Sequence, residues 1–295
     1  MIKAFMFHDI RDHDNTKYIE RYKLKSFMTV KEFKNQLDYL IEEYDIISSS
    51  EIPNVKNNNR KHAILTFDDG LLDHYYVADI LNDMGLTGTF LIPTQAVRDR
   101  VIMSVHKIQF LLASINEKEL VKRILNLTPR HISNKYLWEK HSVSQWKDNW
   151  WTPEMVFVTN FLRYHDKWDI TNRLFNNIIT TDEVGFCDNF YLNEKQIQEM
   201  VSDGHEIGGH GFLSAPLTAI EDQESDIVQS LNYVKKFYKG DVMFSYPNGK
   251  YNKDTIKILE KNGCKYAYTT VKQDINNDTS MLELPRYDAP QDIVI

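Results

Sequence analysis

Residues 63–70 read Ala63-Ile64-Leu65-Thr66-Phe67-Asp68-Asp69-Gly70, an apolar strand that ends in two adjacent carboxylates and a glycine. Acids delivered from the end of a strand can divide metal binding and proton transfer between them. Two like charges side by side are costly unless a cation or a proton compensates them, so Asp68 and Asp69 imply something positive nearby. Taken alone, the same residues also read as an Asp-Gly turn closing a strand, and only partners elsewhere in the chain decide between the two.

Outward from this stretch the pattern alternates. Ile2 to His8 forms a first strand. Thr29 and Glu32 form a capping box ahead of a helix whose apolar face is Phe33, Leu37, Leu40 and Ile41. A Ser- and Asn-rich loop, Ser48 to Arg60, leads into the strand Ala63 to Phe67. Beyond Gly70, Val77, Ile80, Leu81 and Met84 repeat with helical period, Gly85 suits the cap, and Gly88 to Ile92 is the next strand. Asn193 and Gln196 open a helix through Ile197, Met200 and Val201 that ends at Gly204, and the short segment His205 to Gly208 follows. A helix through Ile227, Leu231, Val234 and Phe237 precedes the strand Val242 to Ser245. The helix around Ile256 and Leu259 ends near Gly263, ahead of strand-like Tyr266 to Val271. Strands and helices alternating at this spacing predict a parallel sheet, open or closed into a barrel, with chemistry at the strand C-termini.

Residues 102–190 break the rhythm and read as a helical insertion, with Val105 to Leu127 as an example. All five tryptophans fall between Trp138 and Trp168, with Trp146, Trp150 and Trp151 among lysines and asparagines. They are either the small core of a helical subdomain or a surface for stacking on sugars.

With 42% hydrophobic and 26% charged residues, the 295-residue chain has the composition of a soluble globular protein. Its formal charge of −7 argues against a nucleic-acid partner. No stretch approaches the ~18 apolar residues of a transmembrane helix. The N-terminus reads as a strand rather than a secretion signal, so the expected location is cytoplasmic. Cys187 and Cys264, far apart in sequence, read as two buried thiols.

A second candidate centre is Gly204-His205-Glu206-Ile207-Gly208-Gly209-His210. A neutral imidazole beside a carboxylate suits zinc or a similar divalent ion, although a lone histidine is as readily structural. His205 is the more structural of the two, because it would point from a short strand into the packed interior.

Thr66 to Gly70, Gly204 to His210 and Phe244-Ser245-Tyr246-Pro247-Asn248-Gly249 occur in that order, and together they resemble the polysaccharide deacetylase (NodB-homology, carbohydrate esterase family 4) pattern. Leu284-Pro285-Arg286-Tyr287-Asp288 also resembles the closing segment of some branches. The likeness covers about residues 1–100 and 190–295. It implies a single domain over residues 1–295, an irregular (β/α) barrel of about seven parallel strands carrying the insertion. It also implies that Asp69 and His210 bind a divalent metal, most readily Zn2+, and that Asp68 acts as base. Tyr246, Pro247 and Asn248 would contact substrate, with backbone around Tyr246 helping to hold the oxyanion. The expected reaction removes an N-acetyl or other N-acyl group from an amino sugar of a surface glycan or of a carrier-linked precursor.

The chain departs from the pattern at three points. Ser214 stands where a second metal histidine is usual, four residues after His210, and a neutral hydroxyl is a weak ligand; a water, a substrate oxygen or His106 could replace it. Ser245 stands where an arginine is usual, and Arg286 is the candidate to supply the orienting charge. No late Leu-x-His supplies a general acid, which leaves His8, at the end of the first strand, as a candidate. The alternative function is a catalytically impaired glycan-binding or scaffold protein on the same fold. A glycoside hydrolase is a weaker third reading, because adjacent residues rarely supply two opposed carboxyls.

Overall fold

The structure is a computed structural model that describes residues 1–12, 27–55, 59–143, 151–163 and 167–293. Among these the chain divides into two compact units: one uses the chain up to Val101 and from Cys187, and the other includes Ile102 to Phe186.

Among the described residues the first unit contains ten strands: β1 (Ile2–Phe7), β2 (Asp9–Ile10), β3 (Phe27–Met28), β4 (Asp45–Ile46), β5 (His62–Asp68), β6 (Thr89–Ile92), β7 (Glu206–Gly209), β8 (Val242–Ser245), β9 (Cys264–Tyr268) and β10 (Tyr287–Asp288). Seven form one curled sheet in the order β10-β1-β5-β6-β7-β8-β9; β4 lines the base of β5, and β2 pairs separately with β3. Every strand pairing is parallel. Residues 284–288 join both ends of that order, since Leu284 bridges Tyr268 of β9 while Tyr287 and Asp288 pair with Phe5 and Met6 of β1. The expected barrel of about seven parallel strands is therefore present, irregular at this seam.

Strand periodicity decides which way the diacid faces. Successive side chains of β5 point to opposite sides of the sheet. Ala63, Leu65 and Phe67 pack outward with Phe33, Leu37 and Leu40 of the helix Val30–Glu43. Ile64 packs inward with Ala4, Leu91, Met243 and Tyr268. Thr66 and Asp68 share the parity of Ile64 and so face the barrel interior. All seven residues of β5 are buried, as expected of a parallel strand covered on both faces. Outside, the rings of Phe7, Phe67 and Phe90 stack across three neighbouring strands, 5.2 and 4.7 Å apart.

Both capping boxes form, at Thr29/Glu32 and Asn193/Gln196. Ile41 departs from the expected helix face and lies 37% exposed, while Gln36 takes a buried place and donates to the Ala289 carbonyl at 3.0 Å. The loop from Ser48 contains short helical turns at Ser49–Glu51 and Ile52–Val55. The last interior strand ends at Tyr268 rather than Val271, because the Thr269 N–H turns to the Leu284 carbonyl at 2.8 Å. Cys187 and Cys264 are both buried and are not joined in a disulfide.

The second unit is helical, and its core gathers Ile108, Leu111, Leu120, Ile124, Phe157 and Phe161. The stretch from Val105 to Leu127 is two helices, Ser104–Ser114 and Glu117–Leu127, since Asn116 accepts from the Lys118 N–H and caps the second. The unit ends at Phe186, so Cys187 to Phe190 belong to the barrel rather than to the helical insertion. Trp138 stacks on Phe157 at 5.4 Å, as the packing alternative anticipates; Trp146 and Trp150 lie outside the described residues. No helix among the described residues is long and apolar enough to cross a membrane.

Candidate active site

The parallel register brings the C-termini of β1, β5, β6, β7 and β8 to one rim. Asp68 ends β5, 2% exposed, and Arg286 grips it with both terminal nitrogens: Nη1 donates to Oδ1 and Nη2 to Oδ2, each at 2.8 Å. Arg286 is itself caged, donating to Thr66 Oγ1 at 3.1 Å and from Nε to the Thr269 carbonyl at 2.9 Å. Its guanidinium lies over the Tyr268 ring, 5.6 Å from the centroid. Burial alone would raise the Asp68 pKa, but the Arg286 charge, then His210, the Arg286 hydrogen bonds and His8 outweigh it and hold the carboxyl below the usual range. Arg286 thus places a positive charge directly against the first acid of the pair.

Asp69 leaves the strand in a left-handed conformation, φ 80, followed by Gly70 at φ 57. Asp tolerates this region better than most residues, and strain of this kind gathers at functional sites. His210 follows β7, and its Nε2 lies 3.6 Å from Asp69 Oδ1. Its Nδ1 is 3.1 Å from the Ser245 carbonyl, which can only accept. Nδ1 therefore carries the proton, and a neutral ring then presents the Nε2 lone pair on the Asp69 side. Ligand bonds of about 2.0–2.2 Å would reach both atoms from one point, so this donor pair fits a zinc-like ion. Among the described residues no third His, Cys, Asp or Glu completes a ligand group. His106 is buried on the helix Ser104–Ser114 of the second unit.

Ser214 is buried and sits at φ 49 at the end of the turn that begins at His210. Asp226, on the helix Gln223–Phe237, fixes this turn by accepting from the N–H groups of Phe212 at 3.0 Å and Leu213 at 2.8 Å. Burial pushes the Asp226 carboxyl up, against those two N–H groups and His210. Gly211, at φ 73, is required here, since a Cβ would stand 3.0 Å from Asp226 Oδ1.

Tyr246, Pro247 and Asn248 follow β8 at the rim. The Tyr246 side chain is fully buried, with its hydroxyl donating to the Leu282 carbonyl at 2.7 Å and its ring stacked on Tyr251. Its N–H donates to the Tyr268 carbonyl at 3.0 Å. The donor of Tyr246 itself is thus engaged in the sheet, which leaves the neighbouring backbone for the oxyanion role that the resemblance implies. Pro247 has no N–H, so Asn248, at φ 55, offers the next backbone donor. His8 is half-buried, and its carbonyl accepts from His74 Nε2 at 2.7 Å. His205 is buried in the interior, accepting from the Gly88 N–H at 3.1 Å.

Sequence reading missed Asp226 and regarded Ser245 only as a missing arginine. An acid in the first turn of a helix carries no signal that its partners lie in a loop ten or more residues upstream.

The family model for polysaccharide deacetylase matches residues 55–267. The polysaccharide deacetylase YxkH of Bacillus subtilis is 30% identical over 99 residues, 32% of this chain and 36% of that protein. The poly-beta-1,6-N-acetyl-D-glucosamine N-deacetylase of Staphylococcus epidermidis is 29% identical over 107 residues, 32% and 37% of the respective chains. These matched segments span little more than a third of the curated relatives. Among solved structures, the Streptococcus pyogenes deacetylase PplD in complex with acetate aligns with TM-score 0.58 at 17% identity, covering 97% of this chain and 91% of that one. IcaB from Ammonifex degensii aligns with TM-score 0.57 at 15% identity, with coverage of 97% and 91%. By sequence motif, barrel architecture and a model match over most of its length, the chain belongs to the polysaccharide deacetylase family.

Proposed function

We propose that this protein removes the N-acetyl group from an amino sugar of a polysaccharide or of its carrier-linked precursor, using a divalent ion held by Asp69 and His210. The observation that carries the reading is the adjacency of two differently prepared acids: Asp68 gripped by Arg286, and Asp69 facing the His210 Nε2 at 3.6 Å. A bound divalent ion supplies Lewis acidity that makes water a better proton donor, and a carboxylate held below its usual range needs such a donor. Asp68 takes the proton of the attacking water. Arg286 keeps its carboxylate ionised and oriented. The Asn248 N–H is the backbone donor available to the oxyanion, and His8 is the candidate acid for the leaving amine. Zinc is the ion favoured by one imidazole and one carboxylate, with Ser214 or water completing the set.

The test is acetate release from N-acetylglucosamine oligomers with added zinc or cobalt. Release lost in Asp68→Asn while zinc stays bound, and zinc lost in His210→Ala, support the roles. No release from polymeric, lipid-linked or nucleotide-linked amino sugars sinks the reading. The two-ligand donor set favours one rival, a glycan-binding protein without turnover. Metal-free protein that still binds glycans would select it.

A further inference from the structure

We propose that Ser245 is a positioning residue that fixes the orientation of Asp68 and ties it to that of His210; the inference rests on the base and ligand roles just assigned. Ser245 ends β8 with no exposed surface, on the same interior face as Met243. Its Oγ lies 2.9 Å from Arg286 Nη2 and 3.1 Å from Asp68 Oδ2. A guanidinium cannot accept, so Oγ accepts from Arg286, and the serine O–H is left to donate to Asp68. With the direct Nη2–Oδ2 bond of 2.8 Å, these contacts close a triangle. Arg286 alone fixes the plane of the carboxylate, whereas the hydroxyl engages Oδ2 but not Oδ1 and so makes the two oxygens unequal.

The same residue reaches the ligand through its backbone. The Ser245 carbonyl accepts from His210 Nδ1 at 3.1 Å, which sets the imidazole tautomer. That carbonyl cannot move independently of the hydroxyl, because β8 is held in register by the pairing of Ser245 with Tyr268 and by the Tyr246 N–H on the Tyr268 carbonyl. One side chain and one carbonyl of a single residue therefore hold the base and a ligand in fixed relation.

The test compares Ser245→Ala and Ser245→Thr with the unaltered protein, using a β-linked N-acetylglucosamine pentamer for turnover and zinc titration of the metal-free protein. Ser245→Ala is expected to lower kcat by about 10- to 100-fold, the usual effect of removing a supporting hydrogen bond at a metal site. KM and zinc affinity should stay within about twofold, because the carbonyl on His210 remains, and Ser245→Thr should restore most of kcat. In the metal-free proteins, the 13C resonance of the Asp68 carboxyl should move in Ser245→Ala and return in Ser245→Thr. Unchanged kcat in Ser245→Ala, or a loss confined to KM or to melting temperature, overturns the proposal. If the unaltered protein releases no acetate from the pentamer or from lipid- and nucleotide-linked amino sugars, the functional reading fails instead, and the carboxyl resonance still decides whether Ser245 orients Asp68.

Discussion

Arg286 holds both oxygens of Asp68 at 2.8 Å from 218 positions further along the chain. Asp68 ends an interior strand, and Arg286 comes from the short segment that joins the two ends of the curled sheet, so closure of the barrel and preparation of the acid are one event. Replacing Arg286 with Met strands a buried carboxylate, and breaking a buried pair of this kind costs about 3–5 kcal/mol. Arg286→Lys keeps the charge but not the fork, so it should lose less stability than the Met variant while still losing activity. Urea unfolding of both variants checks this, and a Met variant as stable as the unaltered protein contradicts the pair.

His74 contributes to the pH dependence of stability on the mildly acidic side. Burial pushes its imidazole from the ordinary 6.5 down to about 4, against the His8 carbonyl and the charges of Asp69 and Asp9. Below pH 6.5 the unfolded chain takes a proton that the folded one refuses, so this contribution is present above 6.5 and is lost as pH falls through 4. The slope is at most about 1.4 kcal/mol per pH unit. Asp68 adds its own acid loss only below the ordinary carboxyl value of 3.8, outside this window. His74→Gln should remove a rise of denaturant midpoint with pH between 4 and 6.5, read as the difference from the parent, since the raised Asp73 carboxyl slopes the other way in both proteins.

Ser214→His is expected to tighten zinc binding. The position has φ 49, a region in which histidine is better tolerated than most side chains, so the backbone does not oppose the change. A third protein ligand contributing more than about 1.4 kcal/mol lowers Kd more than tenfold, which calorimetric titration resolves. An unaltered Kd would mean that position 214 does not face the ion.

Gly208→Ala tests how closely the interior is packed beneath the site. A Cβ at this position of β7 would stand 2.6 Å from Leu91 Cδ2 and 2.9 Å from both Cβ and the carbonyl oxygen of Met243. Backbone is among the atoms met, so the neighbours cannot simply rotate away. Overpacking of this kind costs about 1–3 kcal/mol, visible as a lower melting temperature.

The alternation of apolar strands with capped helices and the two capping boxes were legible in the chain, because each depends on residues within a turn or two of one another. Motif order carried the family by likeness. The reading failed where a partner is distant. Ile41 looked like part of a buried face but lies 37% exposed. The helix break at Asn116, inside Val105 to Leu127, was a miss of another kind, since its cap on the Lys118 N–H is local.

The sequence by itself determined the elements and the rim that would carry the acids, since local hydrogen bonding and side-chain period are short-range properties. Only the tertiary structure decided the electrostatics. It set Arg286 in the cage of Thr66, Ser245 and Thr269, engaged the Tyr246 N–H in the sheet and aimed His210 by a carbonyl 35 residues away. A buried charge is governed by whatever lies within a few ångströms of it, and in a parallel barrel those neighbours come from strands that are far apart in the chain.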